Sequence, residues 1–540
     1  MSPINPEEGR HHLVHSHAHE EDIPGTVNLN AAEGDDTGYG QALFPVPAED
    51  PNDPLQWTNF KKTMILVICS FYSFLANSAL LGPSPYIDLW ASEFGISPTQ
   101  ASELVSYPNL AFGFGSLIFV PLYLKFGRRP VTLISLIIFC GGIIGASQST
   151  TYGSLMASRV IHAFGSSVCE ALPVQLVNDI FFLHERGERI GYYTVCLCLG
   201  SFASLPAGYI LAGGYGWQLF FYVVLAFGAT LLILAFFFVE ETSYDRKAAM
   251  ILSTAPTEGE KASIGANDVA WVERSDPPTP PRKSFVKTLS LIGRTDHDVP
   301  FFLMMARSFT YLLVPQALWV IASYGINIGL LGLAYSFTFP ILITSPPYNW
   351  TVINSGLFAI AALVGYAFAV PFTSSSDKLA AYLTKRNGGI REAEMRLGVM
   401  LPAMLIGPVG IILYGIVAEK SLHWVLYFIG GALSYFAAYF YFSFTLAYAV
   451  DSYNSNTSEM IIAMNLGKQV ISFGFGLKVL TWVMESGYAV VMSGIFGGVL
   501  LANNLLLLVF MFWGKDIRLF MSRTWLARLH SSSIKEVITH

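Results

Sequence analysis

The stretch RVIHAFGSSVCEALP, residues 159–173, sets an arginine, a histidine and a glutamate among apolar and small residues. A guanidinium stays charged at physiological pH, an imidazole changes charge near neutrality, and a carboxylate takes up a proton or holds a cation. In hydrocarbon each charge costs on the order of 2.5–3.5 kcal/mol even on the gentler scales, so such groups mark ion or solute paths. On a helical wheel Arg159 and Glu170 fall about 20° apart, with His162 about 60° and Ser166 about 20° from Arg159. Along the axis Arg159 and Glu170 are about 16 Å apart, too far for a direct ion pair. The wheel predicts one polar stripe, with Pro173 on the same side, facing a water-accessible cavity inside a helix bundle. His162 has two readings, a neutral hydrogen-bonded core residue or a titrating group. Glu170 also has two, a carboxyl satisfied by backbone and hydroxyl groups or a binding group for a proton or cation.

Other polar residues repeat the pattern. Asn465, Gln469, Ser472 and Gly476 share a helical stripe, with Lys468 beside it. Gln316 and Asn327 fall about 20° apart, with Tyr324 near them. Tyr435, Tyr439 and Phe442 follow i, i+4, i+7, a face that either packs or holds an organic cation over its rings. Asn77 lies at the middle of an apolar run.

These residues need long apolar helices to position them, and the composition supplies them. Of 540 residues 53% are hydrophobic and 13% charged, with mean hydropathy +0.50; soluble domains carry roughly 25% charged residues. An all-α membrane protein follows. Apolar runs of spanning length lie near 62–82, 102–124, 130–149, 153–177, 190–213 and 217–239. Six more lie near 305–340, 352–372, 397–418, 423–449, 459–483 and 488–513. The run 301–342 exceeds one span, and holds either an interfacial helix plus a span or one long helix kinked at Pro315. Twelve transmembrane helices in two six-helix halves, 61–240 and 301–514, flank a polar linker, 241–300. The tails are 1–60 and 515–540; the first contains HHLVHSHAHEED, read as a solvated segment, with a metal-binding or pH-sensing role as the alternative. No apolar core of signal-peptide length precedes residue 60, so the amino terminus is expected to remain on the side of synthesis.

Basic residues order the loops. Lys125, Arg128 and Arg129 follow run two, Arg186 and Arg189 follow run four, and Lys378, Lys385, Arg386, Arg391 and Arg396 follow run eight; the opposite loops hold Lys420. The positive-inside rule then puts both termini in the cytoplasm. All five cysteines lie in apolar runs, which predicts neither disulfides nor a metal site. No P-loop is present, which argues against a primary pump. No cofactor, enzymatic reaction or nucleic-acid partner is expected; the partners are a small-molecule substrate, protons and the lipid bilayer, and the chain is expected to act as a monomer.

Several segments carry a family resemblance. PLYLKFGRRPV, 121–131, resembles the signature loop of the major facilitator superfamily, Gly-x-x-x-Asp-Arg-x-Gly-Arg-Arg. Lys125, Gly127, Arg128 and Arg129 match; Leu124 stands in place of the family Asp and Val120 in place of the first Gly. Asp377 fits the acidic position of the corresponding loop in the second half. RVIHAFG resembles the family's Arg-x-x-Gln-Gly-x-Gly, with His162 for Gln and Ala163 for the first Gly. Segments such as DPLQWTNFKK, DIFFLHERGERIGYY and YAVDSYNSNTSEM look like the fungal twelve-span drug:proton antiporter branch, and the chain is similar to its histidinol- and polyamine-permeating subgroup. The resemblance implies proton-coupled transport by alternating access at the plasma membrane, with Arg159 in proton coupling and the basic loops, with Asp377, in gating. Span five has GSFASLPAGYILAGG without the antiporter Gly-Pro pair, so direction stays open between export of drugs or secondary metabolites and uptake of organic cations. A transporter-like nutrient sensor is the third alternative.

Overall fold

The computed structural model describes residues 26–28, 50–244, 284–290, 301–388, 390–452, 457–526 and 529. The histidine-rich segment and most of the linker lie outside the described residues. Among those described, twelve helices are long and apolar enough to cross a membrane. Spans one to six are Asn59–Phe94, Pro98–Phe126, Arg128–Ser147, Tyr152–Ile180, Arg189–Ala212 and Gln218–Phe238. Spans seven to twelve are Pro315–Thr344, Asn354–Arg386, Ala393–Lys420, Val425–Ala449, Glu459–Ser486 and Ala489–Ser522. Each falls on a run read from the sequence. Side chains such as Phe227 and Ile233 are half or more exposed at the bundle perimeter, where lipid takes the place of protein neighbours.

The long run at 301–342 divides as a short helix, Phe301–Leu313, and a span that begins at Pro315. Val314 is extended, as a residue preceding proline prefers, and Pro315 occupies the first helical turn, where its missing N–H costs nothing. Span two ends at Gly127, whose φ of 99° suits a residue without a side chain, and span three starts at the next residue. The helical picture has one addition. Thr26–Asn28 (β1) pairs antiparallel with Ile390–Glu392 (β2), so part of the amino-terminal tail lies on the loop between spans eight and nine.

Spans two and eleven pack against each other, as do spans five and eight, and these contacts join the halves. Gly113 sits on the Gln469 side chain, and a methyl group at Gly356 would come within 2.3 Å of the Ser204 carbonyl oxygen, so spans five and eight approach backbone to backbone. That approach lies at the end of the bundle away from the basic loops.

Prolines inside the spans create a recurring need. A proline offers no N–H to the carbonyl four residues earlier, and in a membrane that oxygen must find another donor. Pro108 leaves Leu104, whose oxygen accepts from Arg159 Nε at 2.6 Å. Pro173 leaves Cys169, whose oxygen accepts from Ser73 Oγ at 2.6 Å. Pro408 leaves Met404, whose oxygen accepts from Asn504 Nδ2 at 3.2 Å. In all three a polar side chain from another span supplies the missing donor.

Candidate functional site

A cavity with about 1450 Å³ of empty space, part of it open to solvent, lies between the halves. Glu170 of span four and Lys468 of span eleven form an ion pair across it. Both are largely buried, Glu170 9% and Lys468 4% exposed. They are the two charged residues among those lining the cavity. The Lys468 ammonium also stands 5.4 Å from the Tyr324 ring centroid. Tyr193 Oη donates to the Glu170 backbone carbonyl at 2.9 Å, which fixes the turn that carries the carboxylate.

The two walls differ. Small polar side chains come from both halves, among them Asn77, Asn109 and Ser201 from the first and Asn327, Asn465 and Gln469 from the second, whereas the rings are concentrated in the second, with Tyr324, Tyr335, Phe339, Phe358, Tyr366, Tyr435 and Phe442 against Phe112 and Tyr193 in the first. Asn77 Nδ2 donates to the Leu197 carbonyl at 2.8 Å, and Asn109 Nδ2 reaches across the halves to Ser472 Oγ at 2.8 Å. Tyr324 donates to the Phe442 carbonyl and Tyr435 to the Leu331 carbonyl. Their hydroxyl protons are thus engaged within the protein, and the rings are what they offer a solute.

Of the residues singled out from sequence, Asn77, Glu170, Tyr324, Asn327, Tyr435, Asn465 and Gln469 line this cavity. Arg159, His162, Gln316 and Tyr439 are packed away from it. The single stripe expected on span four is divided because Ser167–Glu170 winds as a 3-10 turn. Such a turn advances about 120° per residue against about 100° in an α-helix, so four residues carry Glu170 about 80° further round. Glu170 therefore faces the second half, while Arg159 and His162 face their own.

Arg159 is fully buried. Its Nε donates to Leu104 and its Nη2 to the Leu80 carbonyl at 2.8 Å, at the last turn of the first helix of span one. The guanidinium lies 5.6 Å from the Trp90 ring and 5.8 Å from Phe221. His162 meets Phe139 edge-on at 6.0 Å, and neither ring nitrogen has a hydrogen-bond partner among the described residues. Gln316 stands about 16 Å below Asn327 on the same helix, which puts it outside the cavity although the wheel aligns them. Tyr439 Oη bonds Thr373 Oγ1 at 2.8 Å.

The basic loops close on acidic partners within their own halves. Arg128 Nε lies 3.0 Å from Asp179 Oδ2 at the end of span four. Arg396 at the start of span nine pairs with Asp451 at the end of span ten and with Asp377 at 2.8 Å. The two arrangements are counterparts, one per half. Although Leu124 stands in place of the signature loop's Asp, a carboxylate does reach this loop: that of Glu241 accepts from the backbone N–H groups of Arg128 at 2.9 Å and Arg129 at 3.2 Å. An anion at the first turn of a helix is well placed electrostatically. The Arg129 guanidinium donates to the Val239 and Phe236 carbonyls, both at 2.6 Å, while Lys125 is half-buried. Sequence reading missed Asp179, Asp451 and Asn109. The first two end spans four and ten at equivalent positions of the halves; Asn109 is a mid-run amide of the same kind as Asn77.

Two six-helix halves around a central cavity bridged by an ion pair define a membrane transporter. Residues 66–477 match the Major Facilitator Superfamily, and the chain belongs to it. It is 24% identical over 481 residues to an uncharacterized MFS-type transporter of Schizosaccharomyces pombe, covering 82% of each chain. It is 23% identical to Protein HOL1 of Saccharomyces cerevisiae, covering 94% of this chain and 97% of that one. A probable efflux pump of Aspergillus flavus, mfs2, is 26% identical, with 73% and 88% covered. Among solved structures, the proton:xylose symporter XylE bound to 6-bromo-6-deoxy-D-glucose superposes with a TM-score of 0.57 at 12% identity, covering 84% of this chain and 97% of that one. The partially occluded inward-open conformation of XylE from E. coli gives 0.55, also at 12% identity, with 83% and 99% covered.

Proposed function

We propose that this chain moves small organic solutes by alternating access, is driven by protons, and exports drugs or secondary metabolites. The observation that carries the reading is the Glu170–Lys468 pair, which ties one half to the other across the cavity. Rocking of the halves pulls these groups apart, and separating them in a buried site is costly unless each charge is answered. A proton on Glu170 removes the attraction and frees Lys468. Among the described residues, Lys468 is the one other charged residue lining the cavity beside Glu170. Similarity to a probable efflux pump supports export.

The protein works as a monomer in the plasma membrane, with both tails and the basic loops in the cytoplasm. The Arg128–Asp179 and Arg396–Asp451 pairs stiffen the cytoplasmic end of each half so that it moves as a body. The aromatic wall favours a second reading, proton-coupled uptake of organic cations such as polyamines. Against it, the cavity's one carboxylate already holds Lys468.

Reconstitution in proteoliposomes tests the reading: solutes from a chemically diverse panel should move faster under an imposed pH gradient than without one. Transport indifferent to the gradient would remove proton coupling, and a panel that stays put would remove the transporter reading. Orientation is tested with cysteines at two exposed positions, Arg386→Cys and Lys420→Cys. In intact cells an impermeant thiol reagent should label the second and spare the first; the reverse pattern inverts the topology.

A further inference from the structure

We infer that the transported solute is a zwitterion, carrying a cationic nitrogen and a carboxylate on an apolar body, and that it binds by standing between Glu170 and Lys468. The inference rests on the transport reading above and concerns the same cavity. Glu170 and Lys468 are its two charged lining residues, so the empty cavity is electrically neutral. A monocation on Glu170 displaces the Lys468 ammonium and leaves one uncompensated positive charge in a site less than a tenth exposed. A monoanion on Lys468 leaves the Glu170 carboxylate equally bare. A zwitterion answers both groups and keeps the total at zero without taking up or releasing a proton. A neutral solute brings no charge to replace either partner, so the original pair stays in place.

The surroundings fit each end of such a solute. Asn465 precedes Lys468 by three residues, one helical turn, and lines the cavity. Its Nδ2 has no hydrogen-bond partner among the described residues although the residue is only 5% exposed. A carboxylate at Lys468 would take that second donor. At the other end, the Tyr324 ring stands beside the lysine ammonium and offers its face to the cationic nitrogen that replaces it. The apolar body then lies against Tyr335, Phe358 and Tyr435, whose rings stand on the second half's wall, across the cavity from span four.

Three probes with one phenylethyl body test this: phenylalanine, 2-phenylethylamine and 3-phenylpropionate, respectively zwitterion, monocation and monoanion at pH 7. Binding to the purified full chain in lipid nanodiscs is measured by calorimetry. Phenylalanine should bind at least tenfold more tightly than either ion. Glu170→Gln should make phenylpropionate the best of the three, and Lys468→Gln should make phenylethylamine the best. The charge exchange Glu170→Lys with Lys468→Glu keeps an ion pair, so it remains informative where a single variant fails to fold; it should restore the preference for phenylalanine. Preference of the unaltered protein for either ion, equal affinity for all three, or binding of none overturns the inference. The solute panel under a pH gradient separates the two failures. A protein that transports and prefers a single ion loses only the zwitterion class, whereas one that moves nothing loses the transport reading.

Discussion

Span four answers two buried charges in opposite ways. Arg159 donates through Nε and Nη2 to backbone carbonyls of spans two and one, both within its own half, and its Nη1 has no hydrogen-bond partner among the described residues. Glu170, eleven residues later in the chain, meets a lysine that belongs to the other half. The arginine's partners are fixed by covalent geometry: Leu104 lost its helical donor to Pro108, and Leu80 lies at a helix end. The partner of the glutamate moves whenever the halves move. A charge compensated inside one rigid body holds that body together, and a charge compensated between bodies reports and controls their separation. Arg159 thus belongs to the architecture and Glu170 to the proposed transport cycle.

The sharpest way to break this contrast is to remove one member of the mobile pair. Leaving the other charge buried and alone costs about 3–5 kcal/mol, on the order of a hundredfold or more in an equilibrium. Glu170→Gln and Lys468→Met should each reduce gradient-driven transport by about that factor, measured as initial rate per folded protein in proteoliposomes. The double variant removes both charges, so it should recover thermal stability toward the unaltered value while transport stays low. If either single variant transports at the original rate across external pH, the pair is structural and the contrast with Arg159 disappears.

A smaller effect is expected at the fixed site, and in a different observable. Arg159→Met leaves two buried carbonyls without their side-chain donors, at about 1–3 kcal/mol each. Membrane abundance and the thermal midpoint should fall. Pro108→Ala returns an N–H to the Leu104 oxygen, so adding it to Arg159→Met should recover part of the loss. The outcome that would break the comparison is a stable Arg159→Met protein that no longer couples solute movement to protons. Arg159 would then carry the coupling role that the family resemblance implies.

Much of this was legible in the sequence, and the rest was hidden for identifiable reasons. Twelve spans and their halves follow from run length, because a membrane helix must be long and apolar whatever it packs against. Mid-run polar residues such as Asn77, Glu170 and Asn465 were visible as cavity candidates on the same logic. The wheel failed at Arg159 and His162 because it assumes a uniform helix, and the 3-10 turn at Ser167–Glu170 changes the phase between them and Glu170. Lys468 stood beside a recognised stripe, but its partner lies 298 residues away, a pairing that no local periodicity encodes. Asp179 and Asp451 were hidden for a third reason: each looks like an ordinary charge at a helix end until the halves are compared.

The smallest expected effect sharpens the architectural side alone. Ser73 Oγ donates to the Cys169 carbonyl, the oxygen that Pro173 cannot serve. It lies within the first half and outside the cavity wall, and its partner Cys169 directly precedes Glu170 in the same turn. If the rule drawn from Arg159 is general, Ser73→Ala should lower stability by about 1 kcal/mol, the net worth of one hydrogen bond, and leave transport per folded protein unchanged. Pro173→Ala restores the backbone donor, so on that background Ser73→Ala should cost less. Thermal midpoints of the four proteins in the cycle measure the coupling between the two positions. Coupling of zero would mean that the serine and the proline contribute independently and that the plugged carbonyl is coincidence. Loss of transport at full stability would mean something else, that the turn carrying Glu170 is set from behind by this one hydroxyl, and the boundary between the fixed and the moving parts of span four would then lie between Ser73 and the carboxylate rather than between Arg159 and it.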